Sequence, residues 1–280
     1  MAQYQCADVA AKDHAKISAL IAPSLRYQTL LMRDAAAQPA AAGGWWYGAW
    51  ATGELYAIAW INNNFVHLYG TDSESLRSLG ASLVRAAGSR VGSGTHQVFG
   101  PESMVDAFWE SFKLVKRTLV ADVKLELFSM SQAPACPEGY AVNVASAKDQ
   151  RLVEEFSAEH AVEEWAIDPR RSSKAVHEQA CKDAIAAQTA LVGSQRGKAV
   201  FYGSLQQPNA EYVWLERVYV PLAFRRPRVM AGVLAHATAL ALSRAPEMIC
   251  LLDRAKTPWM EAAQAVGYAS MGKYRLLRLR

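Results

Sequence analysis

The residues of this chain best suited to chemistry lie between positions 214 and 230. Trp214-Leu215-Glu216-Arg217-Val218-Tyr219-Val220 sets one carboxylate among apolar neighbours in a strand-like run. Partial burial there would raise the pKa of Glu216 toward neutrality and make it a general base. The same residue could instead face solvent, paired with Arg217 or another cation. Pro221 follows, then Arg225-Arg226-Pro227-Arg228-Val229-Met230, a basic loop that runs into an apolar helix. Open N–H groups and the positive dipole end at a helix N-terminus attract phosphate, and arginine adds bidentate contacts. A solvated basic turn before a core helix is the plain alternative. Upstream, Glu163-Glu164 could attract a cationic group, although with Glu154, Glu155 and Glu159 they also fit the wet face of an amphipathic helix.

Other reactive side chains carry less. His160 shares the helix of the acidic pair and His236 lies in the apolar run after the loop, and both fit packed or half-exposed imidazoles. Cys250 falls in an apolar strand pattern and fits core filling. The four cysteines, Cys6, Cys136, Cys181 and Cys250, lie far apart with no CxxC pair, so neither a metal site nor a disulfide framework is expected. No G-x-S-x-G motif occurs, which leaves a serine nucleophile without support.

These candidates need elements to hold them. Ser131 to Gly139, with two prolines and a terminal glycine, reads as an exposed connector, which predicts domains over 1–131 and 140–280 with a linker at 132–139. In the first half, Trp45–Trp50, Glu54–Trp60 and Phe65–Tyr69 read as three antiparallel strands, joined through Thr52-Gly53 and Asn62-Asn63-Asn64. A helix follows from a capping box at Thr71–Glu74, then a strand at Gln97–Phe99, a second helix carrying Met104, Val105, Phe108, Trp109 and Phe112, and a strand from Leu119 to Phe128. The five tryptophans of this half fit its core and the seam between halves, with a stacking pocket as the alternative.

The second half repeats the theme. A strand at Tyr140–Val144, a helix capped at Ser146–Asp149 and running to Trp165, and a helix over 173–188 precede strands at 189–194, 198–205 and 212–220. The basic loop at 221–228 leads into a helix, then a strand at 248–252, a helix opened by Thr257-Pro258 and a last strand at 274–279. This order predicts an α/β (α+β) fold, a mixed sheet covered by helices.

Composition bounds the rest. At 280 residues, 51% hydrophobic and 20% charged, the chain is ordinary globular sequence. Asp8, Lys12 and Asp13 interrupt what a signal peptide would need, and Val229–Leu242 is too short to span a bilayer, so a cytoplasmic protein without a membrane partner is expected. The net charge of +4 permits an anionic ligand but does not announce nucleic acid.

The strand Trp214–Val220, Pro221, Arg225 and the helix that follows resemble the GCN5-related N-acetyltransferases (GNAT), as does the element order. The whole chain resembles their tandem type, in which a GNAT-like domain without a working cofactor loop precedes an active one; Phe65-Val66-His67-Leu68, Gly100-Pro101 and Val162-Glu163-Glu164-Trp165 carry that likeness. The resemblance implies two tandem GNAT-like domains, each a mixed, mostly antiparallel sheet flanked by helices. It implies acetyl-CoA or another acyl-CoA as co-substrate, bound by Val218, Tyr219, Val220, Arg225, Arg226, Arg228, Val229 and Met230, without a metal. Glu216 would then deprotonate an amine, from a small molecule or a peptide, for direct attack, with Glu163 and Glu164 drawing that amine in. Monomer and homodimer both remain open.

Three positions depart from the family pattern. Arg228 and Met230 stand where glycine or alanine is expected in the cofactor loop, and Ala263 stands where a tyrosine usually protonates the departing thiolate. Tyr219, Tyr268 or Tyr274 could replace that acid, Tyr268 being usually core. A GNAT-like module that binds a ligand or partner without turnover is the rival reading. A third is RNA contact through Arg225, Arg226, Arg228, Arg275, Arg278 and Arg280.

Overall fold

A computed structural model describes residues 3–22, 44–62, 65–90, 96–113, 118–207 and 210–280. Asn63 and Asn64 of the expected asparagine turn lie outside these residues. The strands are β1 (Gln5–Asp8), β2 (Trp45–Ala51), β3 (Glu54–Asn62), β4 (Phe65–Gly70), β5 (His96–Pro101), β6 (Leu119–Met130), β7 (Tyr140–Val144), β8 (Ala190–Gln195), β9 (Lys198–Gln206), β10 (Tyr212–Tyr219), β11 (Glu247–Asp253) and β12 (Ala269–Leu279). The helices are α1 (His14–Ile21), α2 (Ser73–Arg90), α3 (Glu102–Phe112), α4 (Gln150–Trp165), the single turn α5 (Pro169–Ser172), α6 (Lys174–Ala186), α7 (Pro227–Leu242) and α8 (Thr257–Val266).

Contacts divide the chain into two compact units, Met1–Glu126 with Gly272–Arg280, and Leu127–Met271. The sequence division kept 140–280 together. The last nine residues group with the first unit because Tyr274–Leu279 pair antiparallel with His96–Pro101.

In the first unit β1, β2, β3 and β4 pair antiparallel in that order, and β4 pairs parallel with β5. The three aromatic-rich strands expected from the sequence are all present. The alternation of side chains sends Tyr47, Ala59, Val66 and Leu68 to a core shared with Leu76, Leu79 and Leu83 of α2 and Phe108 and Phe112 of α3. Ile17, Leu20 and Ile21 of α1 cover Trp46, Ile58 and Trp60 on the other side. The cap of α2 differs from expectation: Asp72, not Thr71, accepts the Ser75 N–H at 2.8 Å. Asp is as good an N-cap as Thr, and the helix starts one residue later for it.

In the second unit β7, β8, β9 and β10 are antiparallel neighbours, and β10 continues in parallel to β11. Ser146 and Asp149 form the expected capping box ahead of α4. Val153, Phe156 and Cys181 of α4 and α6 pack on Tyr202 and Tyr219. On the other face α7 and α8 bury Val229, Met230, Val233, Leu234, Trp259 and Ala263 against Val213, Leu215 and Cys250. The long apolar run of α7 is therefore a core helix, and no helix among the described residues is long and apolar enough to cross a membrane. Gly232 lets α7 lie close on β7, since a Cβ there would sit 2.8 Å from the Tyr140 ring.

Candidate active site

All candidate residues singled out between 163 and 230 belong to the second unit. Its organising feature is β10. Tyr212, Val213 and Trp214 lie opposite Glu247, Met248 and Ile249 of β11, and the pairing stops there, while on the other side β10 stays with β9 out to Tyr219. Past Trp214 the strand therefore keeps one neighbour, and its β11-facing edge opens at the carboxyl ends of two parallel strands. Ligands of open α/β sheets bind at such places. The pairing with β9 is irregular as well. Glu216 sits opposite Ser204 and Tyr219 opposite Tyr202, so three steps on β10 match two on β9, with Arg217 at a φ of +54°.

Glu216 is half-buried at this bulge, and the Ser204 hydroxyl donates toward its Oε1 at 3.5 Å. The ion pair with Arg217 does not form among the described residues. Val218 is half-buried, and Tyr219 and Val220 are buried at the strand end.

The basic loop splits into two sets. Arg225 donates Nε–H to the Val220 carbonyl at 2.7 Å, ion-pairs with Glu163, and lies 5.5 Å from the centre of the Tyr219 ring. Arg226 caps α7 in an extended conformation, and its carbonyl accepts the N–H groups of Val229 and Met230 at 2.9 and 3.0 Å. The helix begins at Pro227, two residues earlier than expected, because proline at the first helical position loses no hydrogen bond. Arg226 and Arg228 are exposed at this N-terminus, whereas the side chains of Val229 and Met230 are core. The long side chain of Met230, which stands where the family pattern has glycine or alanine, is thus packed into the core.

The acidic pair does not form a free anionic patch. Lys256, at the start of α8, bridges Glu163 at 3.1 Å and also pairs with Glu164, while His160 Nε2 is 3.9 Å from Glu164. Burial pushes the Glu163 carboxyl up, but Arg225 and Lys256 outweigh it and hold the group below its usual range. For Lys256 burial lowers the pKa and the two glutamates more than restore it. Glu159 is not on a wet face either: it accepts the Tyr219 hydroxyl at 2.6 Å. His160, edge-on to Tyr219, is buried enough that its pKa falls to about 4, so it is neutral at pH 7. Lys256 was not among the sequence candidates, and Glu159 and His160 were given no role there; Lys256 lies 92 residues from Glu164, and no spacing rule links them.

Of the possible replacement acids, Tyr268 is buried and hydrogen-bonds Thr238, and Tyr274 groups with the first unit, stacked on Phe99. Tyr219 remains; burial, then Glu159, raises its pKa, so it is held as a protonated donor. Ala263 and Cys250 are core, and His236 donates to the Pro137 carbonyl at 3.0 Å. Of the six arginines proposed for RNA, Arg225 pairs with Glu163 and Arg275 with Asp106 and Asp122. Among the described residues no three metal-ligating side chains gather.

No protein-family profile and no curated protein matches the sequence. Solved structures do match, over nearly the full chain. An acetyltransferase of the GNAT family from Colwellia psychrerythraea is 14% identical, with 98% of each chain covered and a TM-score of 0.60. A GCN5-related N-acetyltransferase from Sphaerobacter thermophilus is 17% identical over 98% of this chain and 95% of its own, at 0.65. A tandem GNAT protein from the clavulanic acid biosynthesis pathway is 11% identical over 99% and 98%, at 0.58. The chain has the GNAT superfamily fold, matched at full length by a tandem GNAT protein.

Proposed function

We infer that the chain is an N-acyltransferase that moves an acyl group, most simply acetyl, from acyl-CoA to an amine by direct attack. The observation that carries this reading is the gap between β10 and β11 past Trp214, with Glu216 at the bulge beside it and two exposed arginines at the N-terminus of α7. The residues present fit acyl-CoA. Arg226 and Arg228 would take its phosphates, aided by the helix dipole, while the one-sided edge of β10 through Val218 and Tyr219 would take the extended pantetheine arm through backbone hydrogen bonds. Val220, Val229 and Met230 act here as the apolar footing of the loop.

Bound acyl-CoA supplies an activated carbonyl carbon and a stable thiolate leaving group. Glu216 takes the proton that the acceptor ammonium must lose before its nitrogen can attack, and Ser204 orients the carboxylate for this. The C–N bond forms as the C–S bond breaks, and the nitrogen's second proton passes through solvent to the thiolate. Tyr219, bound to Glu159, keeps the strand end in place rather than giving up its proton. The ionic set of Glu163, Glu164, Arg225 and Lys256 locks α4 and α8 to the loop.

The test is release of free thiol from a series of acyl-CoAs in the presence of diverse amines. Turnover with at least one pair, and a fall of about 100-fold or more in Glu216→Gln, is expected. Equal inactivity of both proteins across all donors would sink the proposal.

A second reading, a GNAT-fold binding module without turnover, is favoured by one observation. Arg225 is held by Glu163 and Val220, and Val229 and Met230 give their N–H groups to Arg226, so fewer loop donors are left for phosphate.

A further inference from the structure

Glu216 and Arg217 are neighbours on β10, and in a regular strand they would project to opposite faces of the sheet. The bulge cancels that alternation. Glu216 shares the side of Ser204, its register partner, and Tyr202 lies two residues from Ser204 on the same face, packed with Phe156 and Cys181 of α4 and α6. Leu215 and Val218 pack toward α7 and α8 and Tyr219 toward α4 and α6, so Arg217 is the extra residue between them, and its positive φ turns it to the side of Glu216, where its charge lowers the pKa of the Tyr202 phenol. One carboxylate and one guanidinium thus stand side by side at the bulge.

Their states differ from those of the charges around them. Arg225 and Lys256 are matched by Glu163 and Glu164, whereas no carboxylate of the described residues pairs with Arg217, which is exposed. The backbone of Arg217 is also in the left-handed region at φ +54°, where a residue with a Cβ is sterically disfavoured and glycine or asparagine is the usual occupant. A long cation is kept there at a conformational cost.

An anion acceptor for hydrogen bonds next to a cation is the complement of an ammonium next to a carboxylate. We propose that the acceptor is a zwitterion, a free α-amino acid whose ammonium is delivered to Glu216 while its carboxylate is held by Arg217. A planar guanidinium suits this, because it meets both carboxylate oxygens at once and fixes where the neighbouring nitrogen lies. Tyr202, buried on the same face, would act as a positioning residue for the guanidinium. The assignment of the amine to Glu216 rests on the acyl-transfer reading; the recognition of the carboxylate by Arg217 does not.

The experiment compares matched pairs that differ only in the carboxylate: L-leucine with isoamylamine, L-phenylalanine with phenethylamine, and L-lysine with cadaverine. Thiol release from acetyl-CoA gives kcat/KM, and thermal unfolding with each compound alone gives binding without turnover. For at least one pair the amino acid should exceed its amine about 10- to 100-fold, the range of one charge-assisted bidentate contact. Arg217→Gly accepts the positive φ without strain, so the protein should fold while the ratio falls to within about threefold. Arg217→Lys should recover part of it. Amines that equal or exceed their amino acids in turnover would overturn the proposal and leave acyl transfer standing. Selective binding of amino acids, lost in Arg217→Gly, without any turnover would overturn acyl transfer and keep the recognition. No binding preference and no turnover would overturn both.

Discussion

The guanidinium of Arg225 is clamped between the Glu163 carboxylate on α4 and the Val220 carbonyl at the end of β10. The first arginine of the loop is thereby a structural tie, and Arg226 and Arg228 are the loop arginines left exposed. Lys256 completes the tie from α8 by bridging Glu163 and Glu164.

Lys256→Met should therefore destabilise the second unit. The three side chains are each about a quarter exposed, so the cost is below the 3–5 kcal/mol of a fully buried pair and falls at about 1–2 kcal/mol, because two adjacent glutamates lose their common cation. Denaturant unfolding of the variant measures this, and an unchanged midpoint would show that the cluster is only a surface arrangement.

Acid should weaken the fold in a defined window. His160 has a folded pKa of about 4 against 6.5 when unfolded, so its contribution is intact above pH 6.5 and is lost as the pH falls through 6.5 toward 4, where the unfolded chain binds the proton first. Between pH 7 and 5 this amounts to about 2 kcal/mol. His67 of the first unit, also lowered to about 4 by burial, adds a similar slope. The depressed carboxyl of Glu163 stabilises fully above about 4.5, its ordinary value, and that contribution is lost only as the pH falls below it. His160→Gln should flatten the unfolding free energy over pH 7 to 5 by His160's share; a profile as steep as that of the parent protein would contradict the burial argument.

Tyr268 and Thr238 form a buried hydroxyl pair in which Thr238 already donates to the Leu234 carbonyl at 2.7 Å, so Tyr268 is the donor between them. Thr238→Val leaves that phenol without an acceptor and should cost about 1–3 kcal/mol. Adding Tyr268→Phe removes the stranded group and should return part of the loss. An additive double variant would mean that the two hydroxyls do not interact.

Local pattern carried most of the architecture. The strands at 45–51, 54–62 and 65–70, the capping box at Ser146 and Asp149 and the start of α8 at Thr257-Pro258 are dictated by neighbours in sequence, and the structure has them. What periodicity could not supply were long-range pairings. Nothing near Tyr274–Leu279 states that the end of the last strand pairs with β5 and so joins the first unit, and β1 and α1 are too short for a clear pattern.

The site divides in the same way. Glu216 was legible as a lone carboxylate in an apolar strand. The bulge that turns Arg217 to the same side was not, because it is defined by the register against β9 and carries no glycine to mark it. Glu163 and Glu164 looked like an open acidic pair only because Lys256 and Arg225, their partners, are 92 and 62 residues away.

The central claim is that the opening between β10 and β11, with the exposed arginines at the N-terminus of α7, holds acyl-CoA. Thermal unfolding with acetyl-CoA, free CoA and longer acyl-CoAs tests it most directly, on the parent protein and on Arg226→Ala/Arg228→Ala. A ligand at about 100 times its Kd adds roughly 2.7 kcal/mol, several degrees for a domain of this size. The account predicts a rise with at least one acyl-CoA and a clearly smaller rise in the double variant. No rise with any of them, or a rise that the two substitutions leave untouched, would contradict it.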